Sequence, residues 1–449
     1  MRVLIVSTYE LGHQPLHAAS PAAALRDAGY EVRCVDTSVQ HLEPDAVAWA
    51  EAVCCSVPMH TAMRLALRVA ERVKRARPDL PVCFFGLYAP VSRDHTVGRL
   101  ADRVIAGRYV PALVAWVDAL AAGRPTGGPE VVVGRGAARP PLPARDLLPP
   151  LERYAHLAVD GEERLVGYVE ATEGCRHVCR HCPVPVVYGG RFRGVERDAV
   201  LADIDQLVAM GARHVTFGDP DFLNGPGHAL ALVRAVHARW PQLTFDCTTK
   251  VDHIVAHPEV WPTFADAGCL FVVSAFETTN DRILARLDKG HTAAQAVEAI
   301  RLLRAHGIEP RPSWMPFTPW TTLDDVRDLL TFVAAHDLVG NVDPVQYTIR
   351  LLLPEGSLLL DHPDLRPYLE GYDAERLTYR WAAAEPRVDA LQAELAELVA
   401  ARTAAGASAL ETFLDVDAAV AAATGDARCP QLATGSVEGR PRLTEPWFC

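Results

Sequence analysis

The stretch "ATEGCRHVCRHCPVPVVYGGRFRG", residues 171–194, places Cys175, Cys179 and Cys182 in a C-x3-C-x2-C pattern directly after an apolar run. Three clustered thiols in a loop flanked by Gly and Pro are poorly placed for core packing, so the pattern indicates a metal centre. A closed zinc site takes four ligands, and a nearby histidine could complete the set. A cubane iron–sulfur cluster held by three cysteines would instead leave one iron open to another ligand.

Composition narrows the class of protein. The chain has 449 residues, 49% of them hydrophobic, and a net charge of -12. We find no run of about 18 uncharged apolar residues and no signal-peptide pattern, which predicts a cytoplasmic protein without a membrane span. In that reducing compartment the eleven cysteines are expected to be free thiols or metal ligands. The negative charge disfavours nucleic acid and favours a small-molecule or peptide substrate.

The first 122 residues alternate between strand and helix patterns, as in "RVLIVST", "YEVRCVD", "AVCCSVP" and "PVCFFGL" with helices between them. This rhythm predicts an α/β domain with a Rossmann-like open parallel sheet, whose ligands would lie at the carboxyl ends of the strands. Residues 123–150 are rich in Gly, Pro and Arg, a composition that is expected to resist packing and to form a linker.

Residues 151–383 resume the rhythm with longer units. Six candidate strands predict a partial (β/α)6 barrel with its site at the strand carboxyl ends. The candidates are "LVGYVEAT", "HVTFGDP", "LTFDCTT", "LFVVSAF", "EPRPSWMPF" and "VDPVQYTIRLL". Residues 384–449 are rich in Ala, Leu and Glu and are predicted to form a helical C-terminal region with a tail that ends in "RLTEPWFC".

A C-x3-C-x2-C motif after the first barrel strand is similar to the signature of the radical S-adenosylmethionine (radical SAM) superfamily. The resemblance implies a [4Fe–4S] cluster on Cys175, Cys179 and Cys182, with SAM bound at the open iron. It further implies reductive cleavage of SAM to a 5'-deoxyadenosyl radical that abstracts hydrogen from a substrate. An electron donor such as flavodoxin or ferredoxin would supply the reducing electron.

The resemblance extends to residues on the SAM side. "VTFGDPDFLNG" resembles the segment that contacts the SAM amino group, and "VVSAFETTNDRILARLDKGHT" resembles a fourth-strand segment that approaches the ribose or methionine of SAM. His181 takes the position whose backbone lies against adenine. The residues implied as cofactor-binding are His181, Gly218, Asp219, Pro220, Ser274 and Glu277.

Two basic residues at predicted strand ends, Lys250 and Arg350, could hold the SAM carboxylate or an acidic substrate. Pairing with barrel carboxylates is an equally good interpretation of both.

The amino-terminal domain resembles the cobalamin-binding fold that precedes many radical SAM domains. The Asp-x-His-x-x-Gly pattern of a lower axial ligand is replaced here by "YELGHQP", which leaves open whether cobalamin is a cofactor. With cobalamin, the resemblance implies radical methylation of an unactivated carbon or of phosphorus. Without it, rearrangement, cyclisation or C–S chemistry stays open.

The tail resembles that of the radical SAM subfamily named after its CUAEP or CCAEP ending, although this chain stops at Cys449. A selenocysteine codon read as a stop is one interpretation. Cys449 could otherwise serve catalysis as a hydrogen donor, a substrate carrier or a cluster ligand, against the alternative of an inert terminus.

Two other classes of protein stay open at this point. A non-catalytic iron–sulfur protein for electron transfer or redox sensing would need the same cysteines and no SAM. A zinc-stabilised binding protein would need a fourth ligand beside them.

Overall fold

The computed structural model describes residues 1–91, 93–126, 131–134, 140–425, 432, 437 and 439–445. It contains an amino-terminal parallel sheet, a second sheet that curls as a half-barrel, and a C-terminal pair of helices, which confirms the predicted α/β class.

The amino-terminal domain is a six-stranded parallel sheet in the order β2-β1-β3-β4-β5-β6. Helices α1 and α5 cover one face of the sheet, and α2 and α3 cover the other. Strands β1, β3, β4 and β5 are buried on both faces, which is why their sequences are largely apolar, whereas the edge strand β2 is partly exposed and more polar. The elements are β1 Arg2–Ser7, α1 Leu16–Asp27, β2 Glu31–Asp36, α2 Pro44–Trp49, β3 Ala52–Ser56, α3 His60–Ala76, β4 Val82–Phe85, α4 Arg93–Thr96, β5 Arg103–Gly107, α5 Tyr109–Ala121 and β6 Val131–Gly134.

The second sheet has the order β14-β13-β12-β11-β8-β7-β17, and its strands from β8 to β14 run parallel. A short hairpin of β9 and β10 flanks the cysteine loop. The elements are β7 His156–Val159, β8 Glu162–Val169, β9 Thr172–Gly174, α6 Val184–Tyr188, β10 Phe192–Gly194, α7 Arg197–Ala209, β11 His214–Phe217, α8 Pro226–Arg239, β12 Thr244–Thr248, α9 Val251–Ala256, α10 Trp261–Asp266, β13 Cys269–Glu277, α11 Asp281–Leu287, α12 Ala293–Ala305, β14 Glu309–Trp314 and α13 Leu323–Ala335.

The half-barrel has five parallel strands in place of the predicted six. The sixth candidate, residues 342–352, forms a 3-10 helix at Pro344–Thr348 and one isolated parallel bridge between Phe317 and Arg350. Pro344 fixes φ and lacks an N–H donor, and in this segment it begins the 3-10 helix. The Gln346 side chain accepts the Trp314 N–H at 2.9 Å, a bond that a sixth strand would otherwise make.

The C-terminal region is helical as predicted in α14 Pro386–Ala404 and α15 Ala409–Thr424, but it also returns to the sheet. Strand β17, Arg442–Leu443, pairs antiparallel with β7. A preceding hairpin of β15 Leu369–Asp373 and β16 Thr378–Trp381 inserts Leu377 into the core of the amino-terminal domain. Within the described part of the chain, no helix is both long and apolar enough to cross a membrane.

Parts of the predicted linker are packed into the protein. Strand β6 lies within it and extends the first sheet, and Arg145 is 1% exposed. The Arg145 guanidinium binds Asp203 of α7 with Nε to Oδ1 at 2.6 Å, Gln14 Oε1 at 3.0 Å and the Tyr168 carbonyl at 2.7 Å. Arg145 of this segment therefore supplies a buried link between the domains. The domain boundaries themselves stay a prediction.

We expect Arg145→Ala to lower the free energy of unfolding by about 3–5 kcal/mol, because it leaves the Asp203 carboxylate buried without its partner. Denaturant unfolding would measure the change. Arg153→Ala is the matched control, since Arg153 lies shortly after this segment, is exposed, and its side chain donates to the Val39 carbonyl. An equal effect of the two substitutions would contradict this role of Arg145.

Candidate active site between the two domains

A cavity of about 690 Å³ lies between the carboxyl ends of both sheets. The amino-terminal domain lines it with the loops after its strands, including Leu11, Pro58, Met59, Leu87 and Tyr88. The half-barrel lines it with the cysteine loop and the ends of β8, β11, β12 and β13. The carboxyl ends of the strands, where the sequence predicts the ligand sites of both domains, therefore open into the same cavity.

The cysteine loop begins at Gly174, whose φ of 78° favours glycine and whose hypothetical Cβ would lie 2.4 Å from the Arg191 carbonyl oxygen. Cys175, Cys179 and Cys182 all line the cavity. Burial raises the pKa of the Cys182 thiol to about 12, and burial also raises that of Cys175. Thiols held in this way ionise when a metal centre compensates the charge.

The spacing of the sulfurs bears on which metal they fit. Among the described residues, only His177, Asp221 and His253 bring ligand atoms within 4.8 Å of one another, so the three cysteines form no such compact set. Zn–S bonds of about 2.3 Å would hold thiolates about 3.8 Å apart. The wider arrangement of three soft ligands fits a polynuclear iron–sulfur cluster better than one zinc ion.

Gly218 follows β11 at a point of close approach. Its hypothetical Cβ would lie 2.1 Å from the ring of Tyr168, so only glycine allows this contact. The Tyr168 hydroxyl donates to Glu170 at 3.0 Å, and its ring lies 4.7 Å from that of His13. Gly218 thus lets β8 bring Tyr168 against the amino-terminal domain.

Asp219 is 1% exposed and lines the cavity beside Pro220. Its Oδ1 accepts the Thr172 hydroxyl at 2.5 Å, and its Oδ2 accepts the Ala171 N–H at 3.1 Å. Burial raises the pKa of Asp219 to about 7. The carboxyl group therefore fixes the segment that leads into the cysteine loop, and contact with SAM would use its remaining lone pairs.

Glu277 ends β13 with a φ of 65°, a conformation that is costly for a side chain of its size. Its Oε1 accepts Lys289 Nζ at 2.9 Å and His181 Nε2 at 3.1 Å. Burial alone would raise the pKa of Glu277, but Lys289 and His181 hold it well below its usual value. His181 is thus tied to the fourth barrel strand through its imidazole, beside the sulfurs of the cysteine loop.

Four further residues were predicted for the site, and the structure does not place all of them in the cavity. Lys250 lines the cavity with Nζ at 3.3 Å from Asp252, and Arg350 binds Asp389 and the Trp381 carbonyl, both at 2.5 Å. Ser274 is not brought into the cavity, because Val273, Ala275 and Glu277 occupy the lining face of β13 and strand side chains alternate. Cys449 lies outside the described residues.

A half-buried ionic group at the domain boundary was missed by the sequence analysis. His17 Nε2 lies 3.1 Å from Glu170 Oε1, and its Nδ1 lies 2.8 Å from the Tyr109 hydroxyl. Burial alone would lower the pKa of His17, but the Glu170 and Glu10 carboxylates raise it to about 9. The available signal was position, since Glu170 directly follows β8 and Glu10 lies in the loop that follows β1, and both strands end at the cavity.

His13, the histidine of "YELGHQP", is 6% exposed and lines the cavity. Burial lowers its pKa to about 4, so the imidazole is neutral against the Tyr168 ring. Apolar side chains and loop backbone around it offer a flat ligand such as cobalamin a surface at the carboxyl edge of the first sheet.

Comparison with known proteins agrees with this architecture. The model of the radical SAM superfamily matches residues 169–333, and that of the B12 binding domain matches residues 2–115. The chain therefore contains a radical SAM domain preceded by a B12-binding domain. The structure of the cobalamin-dependent S-adenosylmethionine radical enzyme OxsB with aqua-cobalamin bound has the same fold, with a TM-score of 0.70, 14% identity, and coverage of 90% of this chain and 67% of that one.

The curated relatives match this chain over only part of their length. An uncharacterized methyltransferase of Pyrococcus horikoshii is 24% identical over 48% of this chain and 44% of its own. The hopanoid C-3 methylase of Methylococcus capsulatus is 24% identical over 66% of this chain and 59% of its own. The chain thus spans about half the length of these relatives. Others include a tRNA-2-methylthio-N(6)-dimethylallyladenosine synthase of Haemophilus influenzae, 25% identical over 41% of each chain.

Replacement of Gly218 tests the close approach at Tyr168. We expect Gly218→Ala to lower the free energy of unfolding by about 1–3 kcal/mol and to weaken SAM binding, because the added methyl group displaces the Tyr168 ring. Thermal unfolding and equilibrium dialysis with SAM would measure both effects. Gly227→Ala is the control, since nothing lies within 4 Å of that position. If the two variants behave alike, the steric argument fails.

Asp219 also predicts a pH dependence of stability. Its pKa is raised from 3.8 to about 7, so between these values the folded state keeps a proton that the unfolded state has lost. Its contribution to stability is therefore greatest at low pH and falls by up to about 1.4 kcal/mol per pH unit as pH rises. The difference in unfolding free energy between wild type and Asp219→Asn, followed across this window, should show that slope. A difference independent of pH would refute it.

Proposed function

We propose that the protein is a cobalamin-dependent radical SAM enzyme whose reaction takes place in the interdomain cavity. The observation that carries the proposal is that Cys175, Cys179 and Cys182 line the same cavity as the ligand loops of the B12-binding domain. A cluster, SAM and a corrin would thereby share one enclosed space. Transfer of a group from a cofactor to a substrate requires that the two are held close together in the right orientation. A cavity lined by the cofactor-binding edges of both domains would provide this.

When bound, the [4Fe–4S] cluster and SAM supply a 5'-deoxyadenosyl radical, and cobalamin supplies a methyl group. The protein's own contribution is to bind and orient the cofactors and the substrate and to enclose them. The three cysteines would ligate the cluster, and Asp219 would hold the loop before them in place through Thr172.

The charged groups near the cysteines would orient SAM. Lys250 is the cation best placed for a carboxylate, because within the described part of the chain its Nζ donates a single hydrogen bond, a long one of 3.3 Å to Asp252. Glu277 already binds Lys289 and His181, so its role would be to position His181 beside the cysteine loop. Arg350 is held by two shorter bonds and serves the wall of the barrel.

Methyl transfer is the leading reaction for two reasons. The B12-binding domain is present, and two curated relatives carry the names of a methyltransferase and a methylase. A small molecule or peptide is the expected substrate. The expectation that nucleic acid is not a partner rests on net charge alone, and the tRNA-modifying relative gives a reason to include RNA among the substrates tried.

The test is anaerobic reconstitution with iron, sulfide and hydroxocobalamin, followed by dithionite and SAM. We expect 5'-deoxyadenosine and cobalamin retained after desalting, because the site joins both cofactors. In Cys182→Ala, iron content and 5'-deoxyadenosine should both fall at least about tenfold, while retained cobalamin should not change. Mass spectrometry and the visible spectrum measure these quantities.

The controls separate this function from its rivals. Cys247→Ala removes a cysteine of the barrel strands that is fully buried and does not line the cavity, so it should keep wild-type iron. A reducible cluster with neither SAM cleavage nor SAM binding would support the electron carrier instead. Stoichiometric zinc without acid-labile sulfide would support the zinc-stabilised binding protein.

A further inference from the structure

Two histidines and one aspartate form a compact group beside the cysteine loop, and the proposed function does not use them. His177 Nε2 lies 3.2 Å from His253 Nε2 and 3.6 Å from Asp221 Oδ2. His253 Nδ1 lies 2.6 Å from the same Asp221 oxygen. Within the described part of the chain, this is the one set of three metal-ligating residues whose ligand atoms all lie within 4.8 Å of one another. We refer to it as the His–Asp–His group.

Three separate elements bring the group together. Asp221 follows β11, and its Oδ1 accepts the Leu223 N–H at 3.2 Å, which fixes the carboxylate at the start of a short 3-10 helix. His253 lies in α9, shortly after β12. His177 lies in the cysteine loop, and the N–H of the residue before it donates to Asn224 Oδ1 of the same 3-10 helix at 3.1 Å. Backbone contacts therefore hold the donor atoms in place without a ligand.

The Asp221 carboxylate is the observation that points to a bound cation. Its side chain is fully buried, and among the described residues its Oδ2 accepts no hydrogen bond. His253 Nδ1 also has no hydrogen-bond partner there, so the 2.6 Å contact between these two atoms is not a hydrogen bond. A buried anion without a donor is costly, and a cation that binds both atoms would remove the cost.

The charges around the group leave room for a cation. Lys250 Nζ donates to Asp252 Oδ2 at 3.3 Å, so these two opposite charges offset each other. The same Asp252 oxygen lies 4.0 Å from His177 Nδ1, the ring nitrogen that faces away from the group. A carboxylate beside the second nitrogen of a ligating histidine orients the ring and strengthens it as a ligand. Asp221 therefore gives the group its net negative charge.

We propose that His177, Asp221 and His253 bind one zinc ion at a site separate from the three cysteines. Two imidazoles and one carboxylate are the donors of zinc sites that keep a fourth position for water. The contacts of 2.6, 3.2 and 3.6 Å bracket the roughly 3.3–3.4 Å that a tetrahedral ion with bonds of about 2.0–2.1 Å imposes on its ligands. Because His177 lines the cavity, the fourth position would lie on that side.

The ion would join three parts of the half-barrel that are distant in sequence. It would hold the cysteine loop, through His177, against the segments that follow β11 and β12. Since this set of ligands exists in the folded chain and not in the unfolded one, zinc would stabilise the folded state. The site would thus fix the cysteine loop independently of the cluster.

The test loads the holoprotein with Zn²⁺ after reconstitution with iron and sulfide, so that the three cysteines are occupied, and compares it with Asp221→Asn. Asparagine keeps the shape of the side chain and an oxygen that can cap the 3-10 helix. We expect about one zinc per chain in wild type and an affinity for zinc at least about tenfold lower in the variant. His257→Gln is the matched control, because His257 is half-buried, lies in the segment after His253 and faces Glu259 at 3.3 Å.

Mass spectrometry of zinc and iron in the same samples measures retention, and zinc-edge X-ray absorption identifies the ligands. We expect nitrogen and oxygen neighbours at about 2.0 Å and no sulfur at about 2.3 Å. Equal zinc retention in wild type and Asp221→Asn would overturn the proposal. Sulfur neighbours in samples with a full iron complement would also overturn it, because they place the zinc on other cysteines. The iron content reports separately on the cluster and therefore on the proposed function.

Thermal unfolding separates a zinc site from a hydrogen-bonded group with a purely structural role. Without zinc, Asp221→Asn should keep or raise Tm, because it removes a buried carboxylate that lacks a donor. Added zinc should raise Tm by about 3 °C or more in wild type and in His257→Gln, and should leave Asp221→Asn unchanged. A lower Tm of Asp221→Asn without zinc, together with no shift by zinc in wild type, would contradict the proposal and support the structural role.

Discussion

The buried guanidinium of Arg145 is the constraint on which the site depends. It joins the β1–α1 loop, α7 and the backbone of β8 through Gln14, Asp203 and Tyr168. These elements carry the walls of the cavity, so their relative position is set by one planar group with fixed donor directions. Because the Arg145–Asp203 pair is buried, separating it would leave an uncompensated charge, which favours the arrangement of these elements.

Around that fixed frame, the charged side chains of the cavity are paired before any cofactor arrives. Lys289 with Glu277, His17 with Glu170, and Arg108 with Glu173 each form an ion pair of 3.1 Å or less. Such pairs cost little reorganisation when a ligand with the right charges enters, which is the physical meaning of a preorganised site. Glu10 and Asp219 differ: among the described residues neither forms an ion pair, and burial raises the pKa of each to about 7.

Sequence alone predicted the parts that depend on local pattern. The parallel sheets follow from apolar runs, and the cysteine loop follows from spacing and from glycine at position 174. The predicted sixth barrel strand is absent, because Pro344 begins a 3-10 helix in that segment. The Gln346 side chain accepts the Trp314 N–H that the backbone of a sixth strand would accept. The roles of Arg145 and His17 were not predicted, because their partners lie far away in the sequence. Sequence periodicity does not indicate such long-range contacts. Ser274 lies on the face of β13 opposite Val273 and Ala275, and its proposed contact with SAM stays a prediction.

Leu377 has a consequence for how the chain reaches its native state. It is fully buried in the core of the amino-terminal domain, although it belongs to a hairpin that follows the whole half-barrel in the sequence. The core of the amino-terminal domain is therefore completed by a residue that is synthesised after the five parallel strands of the half-barrel. This contact has a high sequence separation, and contacts of that kind form slowly during folding.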